Sequence, residues 1–501
     1  MIRILHIIDT LSGAGPTRSL ISLAKYASEK GLEQEHRVVA LKKEFYPVSL
    51  LFAKKAGLEV LRNPGSDRIS EEIEDADIVQ LHFWNNPTLN EFLRSDWPSM
   101  RLLNWIMVFG EHPPQVVSKE LLEYSDFALA TSPLTLKLPV FEKLFSEDKA
   151  DFVYGIADWS RLKDLNPQGH DTFNVGYIGT VNFTKMHPRF VPMSAGLSIP
   201  NVRFVVCGGG IENELKNEAT SLNSAEKFEF RGYVENIRSV LEILDVFGYP
   251  LCDDTYATSE KSIQEAMYAG VPPVVFPHGG CSDLVQHEET GLVVNSENEY
   301  REAIEFLYHN PGFRLQLGQN AAEHARRIFN SEKAVMKMDS VYNKMMDRPK
   351  RSRAWSVAKF KSKEESASEN FAENLGDQGN DFYMSLSDSD SAYLLKAEEN
   401  IADSTPLLVG GEGGINQYRN YYPADPHFRL WSGLCLQKNG DHQKAIHEFD
   451  TAIEFGLDHW RVFWYKAKSA KQLQERALAE DALTRVKRDA PGFVKDHGLV
   501  L

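Results

Sequence analysis

Cysteine is scarce in this chain of 501 residues: Cys207, Cys252, Cys281 and Cys435 are scattered without metal-ligand spacing. Four such residues exclude a disulfide framework and read as small buried side chains of a reducing compartment. Surplus positive charge is also missing. With 55 Lys and Arg against 71 Asp and Glu, the net charge of −16 argues against a general nucleic-acid binder, which needs a basic surface to neutralise phosphates. One phosphate-binding cleft remains open, because a few local cations suffice there. No run reaches the roughly 18 apolar residues of a membrane span. The opening MIRILHIIDTLSGAG has a short apolar stretch that breaks at Asp9 without a cleavage signature, so it predicts a first strand rather than a secretory leader. The expected location is cytoplasmic.

What is present is the composition of a globular protein, 42% hydrophobic and 25% charged, with a length that suggests roughly three domains. Apolar strands alternate with helical stretches over residues 1–165, with candidates at 3–9, 36–42, 77–83, 102–109 and 126–132. Between the first two, TRSLISLAKYASEKG carries Leu20, Leu23, Ala24 and Ala27 on one stripe and stops at Gly31, the pattern of an amphipathic crossover helix. The series restarts over 166–346, with strands at 173–179, 202–210, 228–233, 246–251, 272–276 and 291–294. Continuous Val/Ile/Phe runs joined by helices imply parallel sheets covered on both faces. The fold class expected is therefore α/β, two doubly wound Rossmann-like domains with a cleft between them, followed by a linker and a small all-α repeat domain. Ligands in such folds sit outside the carboxyl ends of the strands.

Composition shifts near residue 347. DRPKRSRAWSVAKFKSK (347–363) is basic with Trp355 and Phe360 interleaved, and an acidic, serine-rich run follows. Residues 347–402 read as a linker, partly disordered, with peripheral contact to an anionic membrane through 347–363 as a second reading. Within a helical domain expected over 403–501, residues 428–492 carry an internal repeat: Ala445, Phe449, Ala452 and Leu457 recur 34 positions later as Ala479, Leu483, Val486 and Pro491, and Gly433 pairs with Ala467. That period matches the tetratricopeptide helix pair; a plain helical hairpin is the alternative.

Several stretches carry chemistry. LSGAGPTRS (11–19) follows the first strand and opens the crossover helix. Its glycines permit close backbone approach, and free N–H groups at a helix start attract anions. It lacks the third glycine and the acidic partner of a dinucleotide fingerprint. VGYIGTVNFTKMHP (175–188) places Lys185 just beyond a strand end, and CGGG (207–210) is a second glycine-rich strand end. YATSEKSIQEAMYAGVPPVVF (256–276) gathers Ser259, Glu260, Lys261, Ser262 and Glu265 around the start of one helix. Ser262-x-x-Glu265 satisfies a capping box, which would make Glu265 structural. Alternatively, Glu260 and Lys261 lie where exposed N–H groups draw phosphate, and Glu265 lies where a carboxylate accepts a ribose diol. The Asp253-Asp254 pair reads as a turn rather than a metal site.

These residues together resemble the retaining glycosyltransferases of the GT-B fold, a large family (family 4-like, group 1) that includes sucrose, mannosyl and lipopolysaccharide-core transferases. IQEAMYAGVPPVV (263–275) resembles the family's L-E-A-M-A-x-G-x-P-V-V, and GGCSDLVQHEETGLVV (279–294) resembles its G-G-x-x-E-x-V…G-x-x-G-L-L-V. Gly179-Thr180-Val181…Lys185 is similar to the phosphate-binding segment, Gly13-Ala14-Gly15-Pro16 to the first-domain loop, and DIVQLHF (77–83) to D-[IV]-V-H-x-H. The likeness covers residues 1–346. It implies that Glu265 holds the donor ribose, that Lys185 and the amides around Ser259, Lys261 and Ser262 hold the diphosphate, and that Gly15 lets the first-domain loop close over it. It also implies that His112 lies near the donor sugar. Two positions depart: Ala257 replaces the first glutamate of the E-x7-E pair, and Thr180 replaces the phosphate-binding arginine. Glu260 and Lys261 are the candidates to compensate, so the implied catalytic set is His112, Glu260 and Lys185.

The implied reaction moves a sugar from a UDP-, GDP- or ADP-sugar to a glycan, lipid-linked glycan or protein. It retains configuration, with no metal and no further cofactor, and residues 403–501 recruit a protein partner. The competing reading is a catalytically silent GT-B scaffold. A nicotinamide enzyme, suggested by CGGG, lacks the fingerprint in the right place.

Overall fold

The computed structural model describes residues 1–355, 367–387 and 392–497. Among the described residues the strands form two parallel sheets. The first contains β1 (Ile2–Ile8), β2 (Gln34–Ala40), β3 (Glu59–Arg62), β4 (Ile78–Phe83), β5 (Leu102–Ile106), β6 (Phe127–Ala130) and β7 (Ala150–Phe152), in the order β3-β2-β1-β4-β5-β6-β7. The second contains β8 (Phe173–Ile178), β9 (Val202–Cys207), β10 (Phe228–Gly232), β11 (Val246–Tyr249), β12 (Pro273–Val275) and β13 (Leu292–Val293), in the order β10-β9-β8-β11-β12-β13. Both are doubly wound, as the strand pattern implies. Ile4 pairs with His36 on one side and Ile78 on the other, so strand order reverses between β1 and β4. It reverses again between β8 and β11.

Central strands β4 and β5 are buried at every position, which is why they read as apolar runs. The edge strands β3, EVLR, and β7, ADF, are short and only partly covered, so no run announces them. The first crossover helix, Gly15–Glu29, buries Leu20, Leu23, Ala24 and Ala27 as its stripe predicts, and Gly31 follows at φ +67°. All four cysteines are free and buried.

Three expected boundaries shift. The helix Ser331–Met346 packs Val335, Met338, Val341, Tyr342 and Met345 into the core of the first sheet, against Ile4, Leu23, Trp105 and Phe127, so the second lobe stops short of 346. Tyr342 seals that docking by donating to Gln80 Oε1 at 2.5 Å. The basic segment to Trp355 is anchored rather than a free linker. Arg351 and Arg353 both pair with Asp126, whose carboxylate also accepts from Leu102 N at 2.7 Å, and Arg351 exchanges backbone hydrogen bonds with Met100. The remainder of the membrane-contact stretch, 356–363, lies outside the described residues.

The third shift concerns the helical region. The chain divides into two compact units, one of residues 1–84, 91–112 and 119–355 and one of 85–90, 113–118 and 356–501. The smaller unit contains helices well before residue 403, including Ala367–Asn374, Asn380–Ser385 and Ala392–Ala402. Their Ser/Glu-rich composition resembles a linker, but Ala367, Phe371, Phe382, Leu394 and Ile401 are buried. Helices Pro426–Lys438 and His442–Glu454 are followed by Trp460–Gln472 and Arg476–Asp489, each starting 34 residues after its counterpart. Gly433 permits the tight first crossing, since a Cβ there would lie 2.5 Å from the Phe449 ring. Segments 85–90 and 113–118 are tied to each other by Asn85 N donating to Gln115 Oε1 at 2.8 Å, and to the helices of this unit by Gln115 Nε2 donating to Glu412 O and Asn90 Nδ2 to Tyr418 Oη, both at 2.5 Å.

Candidate active site

The segments following β1, β4, β8 and β11 converge on a cavity of about 400 Å³ between the lobes of the larger unit. These are the strand ends flanking the two reversals of strand order, where doubly wound sheets leave a crevice. Gly13, Ala14, Gly15 and Arg18 line it from the first sheet together with Trp84; Thr180, Lys185, Tyr256 and residues 257–262 line it from the second. Across it, a Cβ on Gly15 would lie 3.9 Å from Lys261 Cε, so the glycine loop directly faces the start of the second-lobe helix.

That helix runs Lys261–Tyr268 and buries Ile263, Ala266 and Met267. Its N-cap is Glu260, which makes no side-chain cap bond. Ser262 therefore lies inside the first turn and the capping-box reading fails. The loop leading into it is set by Gly279 and Gly280: a Cβ on either would come within 2.4 Å of Ala257 O or 2.0 Å of Thr258 O. Side chains are excluded there because backbone passes against backbone. The amides opening the helix have no intrahelical acceptor, as at any helix start, and they border the cavity.

Charges in the cavity are arranged in pairs. Lys185 Nζ lies 2.8 Å from Glu260 Oε2, which also accepts from Tyr249 Oη at 2.9 Å. Burial alone would depress the Lys185 ammonium, but Glu260 beside it holds its pKa above the ordinary lysine value. Glu265, 3% exposed, accepts at Oε1 from Arg18 of the first lobe and from Arg161 of the interlobe connection, the latter at 2.9 Å. Lys261 Nζ donates to Ile156 O at 2.7 Å, and burial with repulsion from Arg18 pushes its pKa well below the usual range. Ser259 Oγ accepts from Gly155 N at 3.0 Å and from Gln264 Nε2 at 2.8 Å, so its hydroxyl ties the interlobe connection to the helix. Gly15, Thr180, Lys185, Ser259, Glu260, Lys261, Ser262 and Glu265 are thus all brought to one cavity. His112 is not among the lining residues; its Nε2 lies 3.6 Å from Glu111, and its ring packs near Phe109.

The sequence reading missed several lining groups. Arg18 sits inside LSGAGPTRS, one helical turn past the glycines, and that position was the available signal. Arg161, on the turn Trp159–Leu162, has no motif around it. Trp84 and Tyr256 meet edge to face at 5.1 Å, and Lys185 Nζ lies 5.5 Å from the Tyr256 ring centre. Both aromatics are separated in sequence and become neighbours only when the lobes pack.

Residues 162–324 match the domain family Glycosyl transferases group 1. The whole two-lobed arrangement has the GT-B fold. It is similar to Anabaena HepE, solved in complex with UDP-glucose, with a TM-score of 0.56 at 15% identity over 69% of this chain and 100% of that one. It is similar also to a glycosyltransferase from Rickettsia africae, with a TM-score of 0.57 at 15% identity over 70% of this chain and 99% of that one. By sequence it is 24% identical over 152 residues to D-inositol 3-phosphate glycosyltransferase of Corynebacterium glutamicum, 28% of this chain and 35% of the relative. The first curated relatives are matched over 39%, 35% and 55% of their length.

Proposed function

We propose that the protein is a retaining hexosyltransferase that moves a sugar from a nucleotide-diphosphate sugar to a glycan, lipid-linked glycan or protein acceptor, without a metal or further cofactor. The observation that carries this is the cavity at both reversals of strand order, with the Gly13–Gly15 loop facing the start of the helix Lys261–Tyr268. The first-turn amides of Lys261 and Ser262, with the charged Lys185 ammonium, would receive the diphosphate. Glu265 would accept the ribose hydroxyls, and Gly15 would let the first-lobe loop approach the phosphates. Glu260 would lie on the sugar side, and the family resemblance puts His112, which lies outside the cavity lining, there as well. The protein then acts by positioning donor and acceptor and by stabilising charge on the departing diphosphate. Binding of UDP-glucose by HepE puts the uridine series first among donors. The buried free cysteines support a cytoplasmic reaction. The 34-residue helix-pair period supports a tetratricopeptide-like partner surface on the smaller unit.

A second reading, a catalytically silent scaffold, is favoured by Ala257 and Thr180 standing where the resembling family carries glutamate and arginine, and by Glu265 already being ion-paired. Thermal shift with UDP-, GDP- and ADP-sugars, followed by assay of released nucleoside diphosphate, separates the two. A donor at a hundred times its Kd stabilises by about 2.7 kcal/mol, and Glu265→Ala or Lys185→Ala should abolish that shift. Stabilisation without turnover supports the scaffold; no stabilisation by any donor overturns the donor-site reading.

A further inference from the structure

Resting on the donor-site reading, we infer that Arg18 is a second cation for the donor diphosphate, beside Lys185, held on Glu265 until the ribose takes its place. Glu265 is almost fully buried, yet Arg18 and Arg161 reach its Oε1 from the cavity side, and both line that cavity. A ribose diol offers neutral O–H donors to the same carboxylate, so ribose and Arg18 compete for one acceptor. The guanidinium that leaves is 31% exposed and keeps part of its hydration, and a charge-assisted bond to a phosphate oxygen in the same cavity replaces the ion pair it gives up.

The diphosphate supplies that oxygen where it is otherwise short of cations. Thr180 brings a hydroxyl, and its carbonyl already accepts from Tyr177 Oη at 2.8 Å. The Lys185 ammonium must share its charge between Glu260 and the diphosphate, and the Lys261 ammonium is engaged by the Ile156 carbonyl. Arg18 alone among these cations has a partner that the ligand itself displaces. It also belongs to the right element: Arg18 N donates to Ala14 O at 3.2 Å in the first turn after the Gly13–Gly15 loop. Arg161 instead rides on the interlobe connection, where the Trp159 indole is fixed to Phe329 O at 2.8 Å, and it stays with Glu265. An independent sign of a ligand lies beside Arg18. The Ser19 hydroxyl is fully buried, lines the same cavity and has no hydrogen-bond partner among the described residues.

Exchange of partners makes a prediction that a simple plug does not. Calorimetric titration of the full chain with uridine, UMP and UDP, and with the guanosine and adenosine series in parallel, should be run on wild type, Arg18→Gln and Arg18→Lys. Binding of no nucleoside diphosphate by wild type would remove the donor-site reading itself. Given wild-type binding, Arg18→Gln should bind the diphosphate about tenfold more weakly while binding the free nucleoside as well or better, since Glu265 is relieved of a competitor. Arg18→Lys should recover part of the diphosphate affinity and serves as the second variant if the glutamine protein folds poorly. Nucleoside and diphosphate affinities moving together, in either direction, would overturn the inference.

Discussion

Lys185 and Glu260 form a largely buried ion pair, Nζ to Oε2 2.8 Å, joining the segment after β8 to the residue that caps the helix Lys261–Tyr268. The pair holds a cation beside the cavity while the carboxylate keeps it charged. Replacing Lys185 by Met should cost about 1–3 kcal/mol in urea unfolding, because the largely buried Glu260 loses its counter-charge and keeps the Tyr249 hydroxyl. Glu260→Gln should cost less and should weaken donor turnover. If it turns over donor like wild type with unchanged stability, Glu260 does not compensate for Ala257.

The glycine pair gives a backbone prediction. Gly280→Ala drives a Cβ to 2.0 Å from Thr258 O, so the loop before the helix must move. Nucleotide affinity should fall at least about tenfold, with a stability loss of about 1–3 kcal/mol. Gly65→Ala is the matched control: nothing lies within 4 Å of a Cβ there, and Gly65 is not among the residues that line the cavity. Equal affinities for the two variants would contradict this account of the loop.

A histidine chain makes the larger unit acid-sensitive. His6 bonds His82 at 3.0 Å and His36 at 2.9 Å across neighbouring strands. Burial holds His36 down to about 4 and His82 to about 3. Unfolded histidines titrate near 6.5, so below that pH the unfolded chain takes up protons that the folded chain refuses. The stability these groups contribute is complete above pH 6.5 and is lost as pH falls toward their folded values. Each adds up to about 1.4 kcal/mol per pH unit to the slope. Chemical denaturation at pH 7, 6 and 5 should show a steep decline that His36→Gln makes shallower; a flat profile would exclude the mechanism.

In the smaller unit, Arg461 and Glu398 are both fully buried, with Nε 2.8 Å from Oε1. Tyr465 Oη and Ser385 Oγ also donate to Glu398, at 2.7 and 3.0 Å. Burial raises the Glu398 pKa and Arg461 opposes that rise. Arg461→Met should cost about 3–5 kcal/mol, read as loss of helical signal at lower urea, because the carboxylate loses its counter-charge. A loss under 1 kcal/mol would show that Glu398 is satisfied by hydroxyls alone.

The amino-acid order by itself determined the central strands, the first crossover helix, the 34-residue helix period and the gathering of residues 259–265 at one helix start. These follow from local rules: apolar periodicity, glycine where backbones meet, and unpaired amides at a helix end. Tertiary structure alone decided the rest. It turned Glu265 from a capping residue into an ion-pair acceptor by bringing Arg18 from the opposite lobe, and it gave Glu260 to Lys185. It moved the helix Ser331–Met346 onto the first sheet and drew 85–90 and 113–118 into the helical unit. Charge pairs and packing across long sequence separations depend on which surfaces meet, and no local pattern of residues carries that choice.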